Sequence, residues 1–155
     1  MPDSGNNETI YYLSDFRHGV DEKRRVQIPA KWRPSQPESE LTLILWPNNG
    51  MTEANLLALP PREMSALAEK IRLMPFADPK ASTLRRLLGG KSASVSVDKA
   101  GRICLPEEMA KAVGIHSEAV LVGMVDRFEI WSPERYASIK KADEASSSEA
   151  FDLIR

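Results

Sequence analysis

The chain has 155 residues, 42% hydrophobic and 28% charged, enough for one domain or two small ones, which excludes a large multidomain enzyme. It contains no run of about eighteen apolar residues, and Met1 to Glu8 has neither a basic start nor an apolar stretch, so neither a membrane span nor a signal peptide is expected. A single cysteine, Cys104, makes neither an intrachain disulfide nor a multi-cysteine zinc site and fits a reducing, cytosolic compartment. The formal net charge of −1 hides two basic islands. From Arg17 to Arg33, six basic residues face two acidic ones, and from Lys80 to Arg102, six face one.

In chain order, Asp15 to Val20 reads as a strand that leads into a basic turn, and Val26 to Ile28 as the return strand. Pro29 to Arg33 follows as a short helix cut off by Pro34, then Leu41 to Trp46 and Asn55 to Leu59 as strands. Met64, Leu67, Ala68 and Ile71 recur at helical spacing over Pro61 to Met74, and Asp78-Pro79 caps a second helix bearing Leu84, Leu87 and Leu88. Ser94 to Asp98 alternates polar and apolar residues. Lys99-Ala100-Gly101 then supplies a hairpin turn with glycine in the left-handed position. After a strand over Arg102 to Leu105, Pro106, Glu107 and Glu108 open a short helix that Gly114 ends. Ala119 to Val125 and Arg127 to Trp131 are strands. A last helix with Tyr136 and Ile139 fades near Ala142, and the tail beyond is expected to be poorly ordered.

An internal repeat organises these elements. Asp21, Arg25 and Pro29 recur as Asp98, Arg102 and Pro106 at a constant offset of 77, and Leu56 to Pro61 is echoed by Phe128 to Pro133 at an offset of 72. The first copy thus carries five extra residues, either between Pro34 and Glu40 or between Pro47 and Gly50. A unit of roughly 45 residues built from short strands buries too little apolar surface to stand alone. The two copies must therefore share a core. The expected fold class is α+β, mainly β, with tandem repeats in a pseudo-twofold barrel with flanking helices. Its parts are a first repeat over 10–60, bridging helices over 61–90, a second repeat over 91–140 and the tail over 141–155.

The catalytic inventory is poor, and no enzyme, metal or cofactor is expected. His18 and His116 stand outside any zinc-binding spacing, and Cys104 reads as a small, inert core residue in a strand. Gly89-Gly90-Lys91-Ser92 resembles the end of a phosphate-binding loop but follows a helix and lacks the earlier glycine. Glu107 and Glu108 suit a helix start better than an acid/base pair.

The repeated feature is an aspartate and an arginine four apart around a basic turn. One reading is a structural clamp, aspartate pairing with arginine across the neck of a hairpin. The other is a nucleic-acid contact, because Lys23, Arg24 and Lys99 add cations that a clamp does not use. With Arg25 and Arg102 they suit phosphates and guanine edges in a major groove. Arg24 stands where the second turn has Gly101. If the turns share one geometry, Arg24 is strained by roughly 1–2 kcal/mol, and a phosphate contact would compensate. If the first turn is of another type, Arg24 is simply solvated.

The segments Asp21-Glu22-Lys23-Arg24-Arg25-Val26-Gln27-Ile28-Pro29 and Asp98-Lys99-Ala100-Gly101-Arg102-Ile103-Cys104-Leu105-Pro106 resemble the paired D-x-x-x-R signatures of the MraZ proteins, relatives of the AbrB-type swapped-hairpin regulators. Leu84 to Gly90, Val120 to Gly123 and Phe128 to Trp131 are similar to other parts of that family, so the resemblance runs from about Asp15 to Ile139. It implies AbrB-like repeats in a double-split β-barrel, and a transcriptional regulator bound to the nucleoid in the cytoplasm. It further implies a homo-oligomeric ring that binds double-stranded DNA at short boxes upstream of the division and cell-wall gene cluster, with no small-molecule substrate. The implied DNA face is Asp21, Lys23, Arg24 and Arg25 with Asp98, Lys99 and Arg102. Two rival readings stay open: an antitoxin-like DNA-binding module that also presents a segment such as Asp143 to Arg155 to a toxin, and an oligomeric scaffold that binds no DNA.

Overall fold

A computed structural model describes residues 9–35 and 39–155. Eight strands form the frame: β1 (Asp15–Gly19), β2 (Arg25–Gln27), β3 (Glu40–Asn48), β4 (Met51–Leu59), β5 (Ser92–Ser96), β6 (Arg102–Cys104), β7 (Glu118–Gly123) and β8 (Phe128–Trp131). All pairings are antiparallel. Six strands make one sheet in the order β1-β7-β8-β4-β3-β5, while β2 and β6 pair separately as a two-stranded ribbon. The molecule is thus α+β with a mostly antiparallel sheet. A closed barrel is not formed among the described residues: β1 and β5 end the sheet without meeting, and the ribbon packs across it instead.

Exchanging each of the first four strands with the strand four places later leaves the sheet order unchanged. The registers behave alike. Val26 faces Ile103 in the ribbon, and Leu56 faces Ile130 as Ala58 faces Phe128 at the centre of the sheet. Leu43 pairs with Ala58 and Leu121 with Ile130. Those two β3/β7 positions lie 78 apart and the β4/β8 positions 72 apart, so the first hairpin is longer by six residues. The extra length therefore lies around Pro47 to Gly50, whereas the stretch from Pro29 to Leu43 is one residue shorter than its counterpart from Pro106 to Leu121. Asn49 and Gly50, both at positive φ (51° and 84°), make the hairpin turn.

The ribbon closes over the core. Val26, Ile28, Ile103 and Leu105 are buried together with Leu43, Leu56, Leu121, Phe128 and Ile130. An aromatic group locks the chain on either side of the first turn. Trp32, in a single 3₁₀ turn over Ala30–Trp32, packs against Tyr12, Phe16 and Phe128 at ring separations of 5.5, 5.3 and 5.0 Å. In the second half, helix α3 (Glu107–Ala112) holds the corresponding place and buries Met109 and Ala110.

Helices α1 (Pro61–Arg72) and α2 (Pro79–Gly90) lie on the opposite sheet face, where Met64, Leu67 and Leu88 pack against Ile44, Leu57 and Leu59. Their burial is thin, and Leu73, Phe76 and Leu87 remain exposed. Helix α4 (Pro133–Ala145) is started by the Ser132 side chain, which accepts from the Arg135 amide. Arg135 ties it down: one Nη reaches the carbonyls of Glu53, Ala54 and Ala112 at 3.1, 3.2 and 3.3 Å. The segment expected as a poorly ordered tail over 141–155 is instead largely helical, in the end of α4, α5 (Ser147–Phe151) and a 3₁₀ turn at Asp152–Ile154. Lys141, Ala142, Glu144, Ala145, Glu149 and Ala150 are good helix formers.

Gly123 ends β7 against the incoming chain, and a Cβ there would stand 2.3 Å from the Tyr12 carbonyl oxygen. Gly123→Ala is expected to destabilise the protein by about 1–3 kcal/mol through overpacking. Gly90→Ala, whose Cβ meets nothing within 4 Å, serves as the control in urea unfolding and should not lose stability.

Candidate nucleic-acid interface

The two basic turns are the same structure, bond for bond. In the first, the Asp21 Oδ1 accepts from the amides of Lys23 and Arg25 at 2.9 and 2.8 Å, while Oδ2 accepts from Arg25 Nε at 2.7 Å. In the second, Asp98 Oδ1 accepts from the amides of Ala100 and Arg102, both at 2.9 Å, and Oδ2 from Arg102 Nε at 3.1 Å. The main chain closes each neck in the same way, Asp21 N–H to Arg25 C=O at 3.1 Å and Asp98 N–H to Arg102 C=O at 2.8 Å. A short side chain that accepts from amides two and four residues on organises such a turn by itself. These amide bonds, with the arginine beside each carboxylate, hold both aspartates below the usual carboxylate range.

The clamp therefore exists, and it is compatible with a contact role. Each arginine spends its Nε on the aspartate, and among the described hydrogen bonds the Nη atoms of Arg25 and Arg102 have no partner. Strand alternation does the rest. Val26 and Ile103 face the core, so Arg25, Gln27, Arg102 and Cys104 stand on the outer face of the ribbon. Arg25 sits opposite Cys104 and Gln27 opposite Arg102, which makes the two motif arginines diagonal neighbours, with Cα atoms roughly 7–8 Å apart. Lys23 and Lys99 are exposed at the turn tips.

Arg24 is where the first turn departs from the second. Its φ is 61°, in the left-handed region that Gly101 occupies at 82°, so the turns share one geometry and the strain is real. Its compensation lies inside the protein: Arg24 Nε donates to the Leu105 carbonyl at 3.0 Å. It is half-buried and bonded rather than simply solvated.

Cys104 is a correction. Strand alternation puts it outside, exposed, with its thiol 3.2 Å from the Lys23 carbonyl, and not in the core. Gln27, its counterpart, likewise reaches the carbonyl of Ala100 at 2.8 Å. The ribbon's alternation in Arg25-Val26-Gln27-Ile28 and Arg102-Ile103-Cys104-Leu105 carries this signal in the sequence. The remaining basic residues scatter. Arg17 pairs with Glu118, and Arg85 sits on the ring of Phe76 and donates to the carbonyls of Ile71 and Met74. No group of three or more His, Cys, Asp or Glu side chains able to hold a metal occurs among the described residues, and no helix there is long and apolar enough to cross a membrane.

The family model described as "MraZ protein, putative antitoxin-like" matches residues 88–153. A protein of Herpetosiphon aurantiacus named "Transcriptional regulator MraZ" is 38% identical over 136 residues, 86% of this chain and 91% of that protein. The chain belongs to the MraZ family. Proteins of the same name from Thermomicrobium roseum and Desulfitobacterium hafniense are 34% and 31% identical, over 82% and 92% of this chain and 85% and 96% of theirs. The family model covers the second D-x-x-x-R turn, and the relatives' matches extend over 82–92% of the chain.

Because both aspartates have lowered pKa values, their contribution to stability is complete above the ordinary carboxylate value of 3.8 and is lost as pH falls through the lower folded values. Buried Glu129, bonded to Trp131 Nε1 at 2.7 Å, has a raised pKa and acts with the opposite sign. The expected outcome is a melting temperature that falls below pH 4 in the wild type, and less steeply in Asp21→Asn/Asp98→Asn. Thermal melts from pH 6 down to pH 2 measure the difference.

Proposed function

We propose that this chain is a sequence-specific, DNA-binding transcriptional regulator whose DNA face is the outer side of the β2·β6 ribbon with its two turns. The observation that carries the reading is the placement of Arg25 and Arg102 as diagonal neighbours on that face, each fixed through Nε and open at Nη. A two-stranded ribbon fits a major groove about 12 Å wide, and an arginine with two parallel N–H donors matches the O6 and N7 of guanine. Asp21 and Asp98 position these arginines; Lys23, Arg24 and Lys99 supply phosphate contacts. The names of the relatives support the regulatory role.

The halves are read as tandem AbrB-like repeats about a pseudo-twofold axis, over 10–60 and 91–140, bridged by 61–90. The invariance of strand order and register under exchange supports that reading. The sites are taken to be short boxes upstream of the division and cell-wall gene cluster, reached by a homo-oligomeric ring in the cytoplasm at the nucleoid. The exposed Leu73, Phe76 and Leu87 of the bridging segment favour self-association, because covering them with a second copy removes apolar surface from water. The antitoxin-like description of the family model favours a second reading, in which the C-terminal segment with exposed Phe151, Leu153 and Ile154 also docks a toxin. Capture of a toxin by the full chain, lost on truncation after Ala145, would establish it.

Arg102→Ala is expected to lose about 1–3 kcal/mol of binding and to relax base preference, whereas Lys99→Ala should weaken all sequences alike. Fluorescence anisotropy on the duplex upstream of the chain's own gene, beside a scrambled duplex, measures both. Unchanged affinity and preference in Arg25→Ala/Arg102→Ala would leave the turns as clamps only. Light scattering is expected to give a mass above that of a dimer of the 17.3 kDa chain, and a monomer at micromolar concentration would exclude the ring.

A further inference from the structure

The departure of Arg24 from its template has a counterpart elsewhere in the chain. At the far end of the ribbon, a Cβ on Gly101 would stand 2.4 Å from both Nε and Cζ of Arg33. The Arg33 guanidinium occupies that space, which is why Gly101 is buried although it belongs to a turn. Arg33 Nε donates to the Ile28 carbonyl at 2.9 Å, as Arg24 Nε donates to the Leu105 carbonyl at 3.0 Å. Ile28 and Leu105 are themselves counterparts, 77 apart. Their amides bond the turn residues reciprocally, Ile28 to Gly101 and Leu105 to Arg24, both at 2.8 Å. The position matching Arg33 in the second half is Ala110, small and buried. Each turn is thus covered by one arginine, delivered from the turn itself in the first half and from the end of the 3₁₀ turn in the second.

We infer that Arg33 is a DNA-contacting cation of the second turn, the functional equivalent of Arg24 at the first, each bonded through Nε and presenting its Nη edge to a backbone phosphate. This rests on the proposed DNA face. Both side chains are half-buried, so their guanidinium groups are held rather than free to wander, and a held cation loses less entropy on meeting a phosphate. Both Nε atoms are committed to carbonyls, and among the described hydrogen bonds neither guanidinium has a partner for its Nη atoms.

The test is anisotropy on the upstream and scrambled duplexes between 50 and 200 mM salt. Arg33→Gln removes the charge and keeps a donor for the Ile28 carbonyl. It should weaken binding to both duplexes by about three- to tenfold and lower the slope of log affinity against log salt by about 0.9 for each phosphate no longer neutralised. Arg33→Lys should keep most of that slope. Gly101→Arg/Arg33→Ala, which moves the arginine to the place it holds in the first turn, should recover the slope that Arg33→Ala loses. The inference is overturned if Arg33→Gln binds as the wild type does while Arg102→Ala loses affinity, because Arg33 is then only a packing residue. It is equally overturned if Arg33→Lys loses as much slope as Arg33→Gln. If wild-type protein binds neither duplex in a salt-dependent way, the DNA face itself is wrong and the role of Arg33 falls with it. Thermal melts of each variant identify losses caused by misfolding, and where the glutamine variant misfolds the salt slope of the lysine variant decides.

Discussion

Neither half of this chain can satisfy its own backbone. Apart from the β3·β4 and β7·β8 hairpins, every strand pairing joins residues of different halves: β1 with β7, β3 with β5, β4 with β8 and β2 with β6. Buried amides and carbonyls must be bonded, so each half supplies the partners that the other lacks, and one core forms or none does. The ribbon is the extreme case. Strands of three residues are too short to persist alone, and they exist because they meet across the halves above Val26 and Ile103.

That dependence sets the spacing of the candidate site. The separation of Arg25 and Arg102 is fixed by ladder register and not by a flexible loop, so the two guanidinium groups form one rigid unit. The carboxylates complete it. Each aspartate takes two main-chain amides and one arginine Nε, which orders the turn and aims the arginine in a single act. Clamp and contact are two uses of the same hydrogen bonds, so the aspartate and arginine alone do not distinguish them.

Much of this is legible in the sequence because it is local or repeated. The 77-residue offset, the alternation before Asp98, the glycine at 101 and the proline and acid signals at Pro106 to Glu108 all report short-range chemistry. The order of the strands is not legible, since cross-half pairing leaves no local mark. The same holds for Arg33: its acceptor is the Ile28 carbonyl, which any residue at 28 would provide, and the space it fills belongs to a glycine 68 positions away. Residue type alone puts Cys104 in the core, but in a two-stranded ribbon strand parity decides, and parity puts it outside. The final helix outruns its sequence pattern because an apolar stripe marks only helices that bury a face, whereas α4 and α5 bury no residue at all.

Arg135 shows what main-chain bonding does for mutational tolerance. Its guanidinium holds α4 to β4 and to the end of α3 through the carbonyls of Glu53, Ala54 and Ala112. Carbonyl oxygens do not change when side chains do, so these three positions can drift without loosening that bolt. The whole burden of identity falls on the donor, a single cationic nitrogen that must reach three carbonyls at once. Inheritance of the anchor therefore rests on a single codon, while the surfaces it joins are free to diversify.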